Sequence, residues 1–201
     1  MNEKFFDLKK EKQDRIINAS FEIFADNGYS HASTDEIVKK AEISKGLLFH
    51  YFISKMGLYT FLYDYAARYV SLEIKSSTTG GKRDYFALRK IIAFADMQIM
   101  GNYPYMLLFI ERAAGENDSD ATEAIQASRI SFEQNMGDLI DGADHSVFKD
   151  TKTYESAGKM LDYSISGLMH KHAGDGTLVP ETVFNESNDM IELMRRFVTG
   201  E

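Results

Sequence analysis

Residues 34–55 read TDEIVKKAEISKGLLFHYFISK, a pattern that predicts two short helices joined by a tight turn. Thr34 is a favourable N-cap for the first helix, and the acidic pair that follows it suits a helix start. Ser44 is a second N-cap, only three residues after the first helix is expected to end at about Ala41. This spacing is typical of a helix-turn-helix, in which the second helix enters the major groove of DNA.

This stretch and the residues before it resemble the TetR (tetracycline repressor) family of bacterial transcription regulators. The resemblance covers about the first 60 of the 201 residues. It rests on an ordered set of positions, namely Phe24, Gly28, Tyr29, Thr34, Ile37, Ala41, Ile43, Ser44, Lys45, Gly46, Leu48, Tyr51, Phe52, Ser54, Lys55 and Leu58. The chain departs from the family pattern at Glu42, where glycine is usual, at Phe49, where tyrosine is usual, and at Met56, where an acidic residue is usual. We expect Glu42 to take a turn conformation with positive φ, which costs a residue other than glycine about 1–2 kcal/mol.

Three side chains early in the predicted recognition helix can read bases. Lys45 can donate to guanine, Leu47 can contact a thymine methyl group, and His50 lies one turn further along. Alternatively, Leu47 packs inside and the other two side chains are solvated.

A second group is predicted to bind phosphate. Thr34, Tyr51 and Lys55 belong to it, because a helix start with free amides beside a lysine is an anion site. The complete set of predicted DNA-binding residues is Thr34, Ser44, Lys45, Gly46, Leu47, Phe49, His50, Tyr51 and Lys55.

The distribution of charge separates the chain into two parts. The net charge is −8, yet residues 1–60 hold nine Lys or Arg and nine Asp or Glu, so residues 61–201 carry all of the excess. The part that contains the motif is therefore relatively basic. The run Lys4, Lys9, Lys10 and Lys12 lies beside the motif, and it could equally be an ordinary solvated helix start.

Apolar residues at helical spacing predict an all-α fold of nine helices. Three helices are expected to form a DNA-binding domain with the helix-turn-helix at residues 1–53, and the other six a second domain at residues 54–201. The resemblance to the TetR family implies that this second domain binds an effector and dimerises. Beyond the motif we expect helices at about residues 9–27, 54–76, 84–100, 104–114, 121–140 and 154–172, and from Pro180 onward. Gly28 is predicted to stop the first helix, and residues 76–82 are predicted to form a loop.

Methionine and aromatic side chains recur on the helices of the second predicted domain. By its resemblance to the family, this domain is expected to bind a small-molecule effector between helices, and methionine suits an adaptable apolar cavity. The same residues could be plain core. The predicted effector-binding residues are Tyr65, Tyr69, Met97, Met100, Tyr103, Met106, Phe109, Phe132 and Met136.

The last two predicted helices carry long apolar faces with small residues beside them. The family usually dimerises through these two helices of each subunit, so we expect a homodimer here. The predicted dimerisation residues are Leu161, Ile165, Leu168, Met190, Met194 and Phe197.

Several other classes of function find no support in the sequence. His170 and His172 lie two residues apart and so do not share a helix face, and Glu116, Asp118 and Asp120 lack the pattern of a calcium loop. We expect no catalytic site, metal or cofactor. The chain has no cysteine, no apolar signal segment and no run long enough to cross a membrane, which predicts a cytoplasmic protein.

The interpretation that follows is a TetR-like regulator. We expect it to be a repressor that a small apolar or aromatic effector releases from double-stranded, palindromic operator DNA. The alternative is a helical protein–protein interaction module whose DNA binding has decayed. Salt-dependent binding to operator DNA separates these two functions.

Overall fold

The computed structural model describes residues 3–78, 81 and 83–201, and it confirms the all-α class for that part of the chain. A 3-10 helix at Glu3–Asp7 comes first. Among the described residues nine α-helices follow: α1 Lys10–His31, α2 Thr34–Lys40, α3 Lys45–Phe52, α4 Lys55–Ser77, α5 Tyr85–Asn102, α6 Met106–Ala114, α7 Ser119–Asp141, α8 Thr151–Gly174 and α9 Pro180–Thr199. Residues 79, 80 and 82 of the predicted loop at 76–82, and residues 1 and 2, lie outside the described residues.

The chain forms two compact units. The first contains the residues up to Tyr69 together with Tyr103–Glu133, and the second contains Val70–Asn102 and Gln134–Glu201. Helices α4 and α7 therefore each begin in the first unit and end in the second. The domain boundary predicted between residues 53 and 54 stays a prediction.

Aromatic rings fill the interior of the first unit. Phe109 of α6 is fully buried, and its ring centroid lies 5.2 Å from that of Phe21 and 6.1 Å from that of Phe24, both on α1. On the other side it contacts Tyr59 and Tyr63 of α4, at 5.5 and 6.3 Å. Edge-to-face and tilted ring pairs of this kind contribute about 0.5–1.5 kcal/mol each beyond the burial of their area. Helix α6 is therefore part of the core on which α1 rests.

The interior of the second unit combines α5, α8 and α9 with the segment before α8. Tyr85, Leu161 and Ile191 are buried at its centre. Two ion pairs join these helices: Lys90 to Glu192 at 2.8 Å, and the buried Arg89 to Asp162 at 2.6 Å. The first pair connects α5 to α9, and the second connects α5 to α8.

Local chemistry explains most helix ends, and it corrects one prediction. Thr34 is the first residue of α2 rather than its N-cap, because Ser33 takes the extended conformation that precedes the helix. Gly28 interrupts α1 with φ 66°, as its predicted role as a stop requires, although one more helical turn follows it to His31. Pro180 opens α9 as predicted, since its missing amide hydrogen costs nothing in the first turn.

Candidate nucleic-acid interface

Helices α2 and α3 and the turn between them have the predicted helix-turn-helix form. The hydroxyl of Ser44 accepts a hydrogen bond from the backbone amide of Leu47 at 3.2 Å, which caps the start of α3. Glu42 in the turn has φ 55°, as the departure from the usual glycine predicts. Its carboxylate lies 3.4 Å from Arg15 of α1. The turn between the two helices is thus shaped by the positive φ of Glu42 and by the N-cap at Ser44, two residues later.

The predicted DNA-binding residues differ in how far they are exposed. Ser44, Lys45, Gly46 and His50 are exposed; Thr34, Leu47, Phe49 and Lys55 are half-buried; and Tyr51 is buried. Leu48 and Phe52 are also buried beneath α3. The first half of α3 therefore presents small, polar and basic groups to solvent over an apolar interior.

Lys45 is partly neutralised within the motif. Its ammonium nitrogen lies 2.8 Å from the carboxylate of Asp35 at the start of α2, and both side chains remain largely exposed. An exposed pair of this kind is worth about 0–1 kcal/mol. The Lys45 ammonium could therefore leave Asp35 and bind a guanine at little cost in free energy. The predicted role of Lys45 is compatible with this geometry.

Lys55 makes contacts that the sequence did not predict. Its ammonium nitrogen donates to three backbone carbonyls around the end of α1: Tyr29 at 2.7 Å, Ala32 at 3.3 Å and Ser30 at 3.4 Å. It also lies 4.4 Å from the centre of the Tyr29 ring. Because an ammonium has three donors, binding a phosphate would mean giving up at least one of these bonds. The phosphate contact stays a prediction, whereas the structural role of Lys55 is visible.

Phe5 is a contributor to the motif that sequence reasoning missed. It lies in the 3-10 helix before α1 and is fully buried, with its ring centroid 5.7 Å from that of Tyr51 and 5.0 Å from that of Phe52. It also contacts Phe61 of α4 at 5.5 Å. The pair of adjacent phenylalanines in a lysine-rich segment was the available signal. Phe5 supports the C-terminal half of α3 from behind.

Six predicted effector-binding residues lie in the first unit. These are Tyr65, Tyr69, Tyr103, Met106, Phe109 and Phe132. The hydroxyl of Tyr103 lies 2.6 Å from that of Tyr65 and 3.2 Å from both the Asp14 carboxylate and the Lys10 ammonium of α1. Burial raises the pKa of Tyr103 to about 12, so this hydroxyl stays protonated at neutral pH. Tyr103 therefore joins α1 to α4 through hydrogen bonds.

The remaining three, Met97, Met100 and Met136, lie in the second unit. Met136 lines a cavity of about 410 Å³ with apolar and polar neighbours, namely Ser71, Leu72, Ile74, Lys75, Thr78, Asn135 and Leu139. Next to Met97 on α5, the half-buried Asp96 is a titratable group that sequence reasoning missed. Burial raises the pKa of Asp96 to about 7, and the charge of Arg89 opposes this shift only in part.

The predicted dimerisation residues mostly face the interior of their own subunit. Leu161 and Leu168 are buried, and Ile165, Met190 and Met194 are half-buried against the core of the second unit. Phe197 is 83% exposed. Met160, Tyr163 and Leu193 are further exposed apolar residues on α8 and α9 that the sequence analysis did not select. The apolar surface available to a partner is therefore formed by these three residues and Phe197.

Within the part of the chain that the structure describes, no group of three or more His, Asp or Glu side chains is placed to hold a metal ion. Among those same residues, no helix combines the length and apolar character that crossing a membrane requires.

Comparison with known proteins places the motif in a family. Residues 16–60 match the family model described as bacterial regulatory proteins of the tetR family. The transcriptional regulator UidR of Escherichia coli K12 is 52% identical over 44 residues, which is 22% of this chain and only 22% of the length of that relative.

Solved structures extend the similarity to the whole fold. A TetR family regulator from Chloroflexus aurantiacus superposes with a TM-score of 0.61 at 20% identity, covering 98% of this chain and 97% of the other. The TetR family regulator PfmR from Thermus thermophilus superposes with a TM-score of 0.60 at 16% identity, covering 92% and 95%. Residues 16–60 are therefore similar to the DNA-binding part of TetR family regulators, and the chain as a whole has the fold of these solved structures.

Proposed function

We propose that the protein is a homodimeric transcription regulator that binds palindromic operator DNA through α3. The observation that carries this proposal is the surface of α3, where Ser44, Lys45, Gly46 and His50 are exposed over a buried apolar interior. Lysine and histidine can donate to base edges, and the exposed glycine lets the backbone approach the groove closely.

A dimer supplies the geometry that one motif lacks. Two recognition helices related by a twofold axis read half-sites one DNA turn apart, about 34–36 Å. The exposed apolar residues of α8 and α9 support self-association through the last two helices, which is also the predicted mode. This face is defined by Met160, Tyr163, Leu193 and Phe197, and we call it the α8–α9 face.

Control by a small molecule is the third element of the proposal. The cavity that Met136 lines in the second unit has further apolar residues in its lining, Leu72, Ile74 and Leu139, together with polar ones such as Lys75 and Asn135. An apolar or aromatic compound would fit such a lining. We propose that its binding lowers the affinity for the operator, so that the regulator acts as a repressor.

The experiment is selection of bound duplexes from fragments of the source genome, followed by titration with the full-length protein at several salt concentrations. We expect a palindromic site and a steep decrease in affinity with salt, because phosphate contacts release counterions. Recovery of no enriched sequence, with salt-independent binding, would contradict the DNA-binding proposal.

The effector is tested separately by a thermal-shift screen of apolar and aromatic compounds. Compounds that raise the melting temperature and weaken operator binding support the switch. Compounds that stabilise the protein and leave operator affinity unchanged contradict it.

A further inference from the structure

The turn between α3 and α4 contains a strained residue. Ile53 has φ 68° and ψ −46°, and the amide of Ser54 donates to the carbonyl of Phe52 at 2.7 Å. These values define a γ-turn of the rare kind with positive φ. Positive φ is a true outlier for a β-branched residue, because its Cβ substituents crowd the backbone.

Neighbouring groups hold this turn in place. The carbonyl oxygen of Phe52 comes so close to Gly57 that a Cβ atom added there would lie only 2.1 Å from it. The hydroxyl of Ser54 accepts a hydrogen bond from the amide of Gly57 at 3.0 Å. Lys55 is fixed by its three carbonyl contacts. The strain is therefore imposed by contacts on both sides of Ile53, and strain of this kind persists where a function uses it.

The side chain of Ile53 is not packed into the core of the protein. It is 77% exposed, whereas the preceding Phe52 is buried. Ile53 lies seven residues after Gly46 and three after His50, and both of these are exposed on α3. The amide of Ile53 still donates to the carbonyl of Phe49, so its backbone follows directly on α3. Its exposed side chain therefore adjoins the exposed end of that helix.

We propose that Ile53 is a DNA-contacting residue whose side chain packs against the deoxyribose wall of the groove, and that the strained turn aims it there. This inference rests on the proposed DNA-binding function. The base edges are met by the first residues of a recognition helix, whereas a residue after its end lies toward the backbone. The side chain of isoleucine has no hydrogen-bond donor, so we expect the carbon surface of the sugar to be its partner.

This contact has a signature that separates it from the lysine contacts. It contributes affinity to every sequence alike, because the sugar carries no base information. It also leaves the salt dependence unchanged, because no phosphate is neutralised and no counterion is released.

The test is Ile53→Gly in the full-length dimer, measured with a duplex selected from a random library by the wild-type protein and with an unselected duplex. Glycine takes positive φ without strain, so the melting temperature rises by about 1–3 °C. Affinity for both duplexes falls by about tenfold, since two apolar contacts are lost per dimer. The salt slope stays as in the wild type.

Two further variants serve as controls. Ile53→Asn also tolerates positive φ and loses the apolar contact, so it should follow the glycine variant in affinity. Ile53→Val keeps the branched apolar side chain and should bind DNA almost as the wild type does.

The expected result for Ile53→Gly is therefore a higher melting temperature together with a lower affinity for DNA. A glycine variant with unchanged affinity for both duplexes overturns the proposal, as does a loss confined to the selected duplex or a change in salt slope. A wild-type protein that enriches no duplex from the library would instead refute the proposed function itself.

Discussion

The exposed surface of α2 and α3 and the α8–α9 face differ in chemistry. On α3 the exposed residues are small, polar or basic, and the large apolar side chains such as Leu48 and Phe52 lie beneath. The α8–α9 face reverses this order, with exposed fractions of 55% for Met160, 75% for Tyr163, 70% for Leu193 and 83% for Phe197.

This difference indicates two kinds of partner. A hydrated, charged duplex suits groups that donate hydrogen bonds, and Lys45 can donate after leaving its exposed ion pair with Asp35 at little cost in free energy. Large apolar side chains at spacing of three on α8 and four on α9 instead support the proposed surface for self-association.

The largest expected effect comes from charging the α8–α9 face. Tyr163→Glu combined with Phe197→Glu should convert the dimer to a monomer and abolish operator binding, because two carboxylates per subunit would have to be buried. Light scattering at micromolar concentration measures the assembly. Gln126→Glu adds a single carboxylate at an exposed position of α7; it is the control and should remain dimeric. A wild-type protein that is already monomeric would contradict the interface.

The support beneath α3 can be removed by Phe5→Ala. We expect a loss of about 3–5 kcal/mol in the free energy of unfolding, because a fully buried ring is replaced by a cavity. Phe6→Ala is the matched control: Phe6 is its neighbour, is 51% exposed and should cost much less. Chemical denaturation measures both. Equal losses for the two variants would show that Phe5 has no special supporting role.

The titration of Asp96 tests the interior of the second unit. The unfolded chain releases this proton near pH 3.8, whereas the folded state holds it up to about pH 7, because burial raises the pKa. The contribution of Asp96 to the free energy of unfolding should therefore be highest below about pH 4 and decrease until the pH reaches about 7. Between pH 5 and pH 8 this decrease should be about 2–3 kcal/mol.

Asp96→Asn isolates this contribution, since an amide does not titrate. The variant should lose the decrease and be more stable than the wild type at pH 8. Parallel stability curves for the two proteins would mean that the carboxylate is well solvated.

The smallest expected effect concerns base reading. Lys45→Ala should weaken binding at particular base pairs by about 1–3 kcal/mol and relax the preference there. Asp35→Ala frees the same lysine and should keep the preference. Lys55→Ala should act differently, lowering stability as well as affinity for all sequences, because three carbonyls lose their donor. Equal weakening of matched and mismatched duplexes by Lys45→Ala would exclude base reading.

Local signals in the sequence were sufficient for the helices and for the motif. The cap at Ser44, the positive φ at Glu42 and the first-turn proline at 180 depend on a few neighbouring residues, and the structure has all three. The turn at Ile53 could not be predicted, because isoleucine favours extended backbone and the positive φ is held by contacts of Ser54, Lys55 and Gly57.

Side-chain contacts between residues far apart in the sequence could not be predicted either. The ammonium of Lys55 is occupied by residues 23–26 positions earlier, which no local pattern reveals. Helical periodicity found the apolar residues of α8 and α9, but it could not distinguish those that pack inside the subunit, such as Leu161, from those left exposed, such as Tyr163.

The first unit cannot be moved to another protein as one continuous segment of the chain. The first unit is built from two separate segments, since α6 packs on α1 although α2 to α5 come between them in sequence. A transplant of residues 1–53 alone would leave behind Phe109 and the α6 surface on which Phe21 and Phe24 rest. Recombination that exchanges DNA specificity between regulators of this architecture would therefore have to preserve a matching α6. The most transferable piece is the short surface of α2 and α3, which can be rewritten in place while its aromatic foundation stays unchanged.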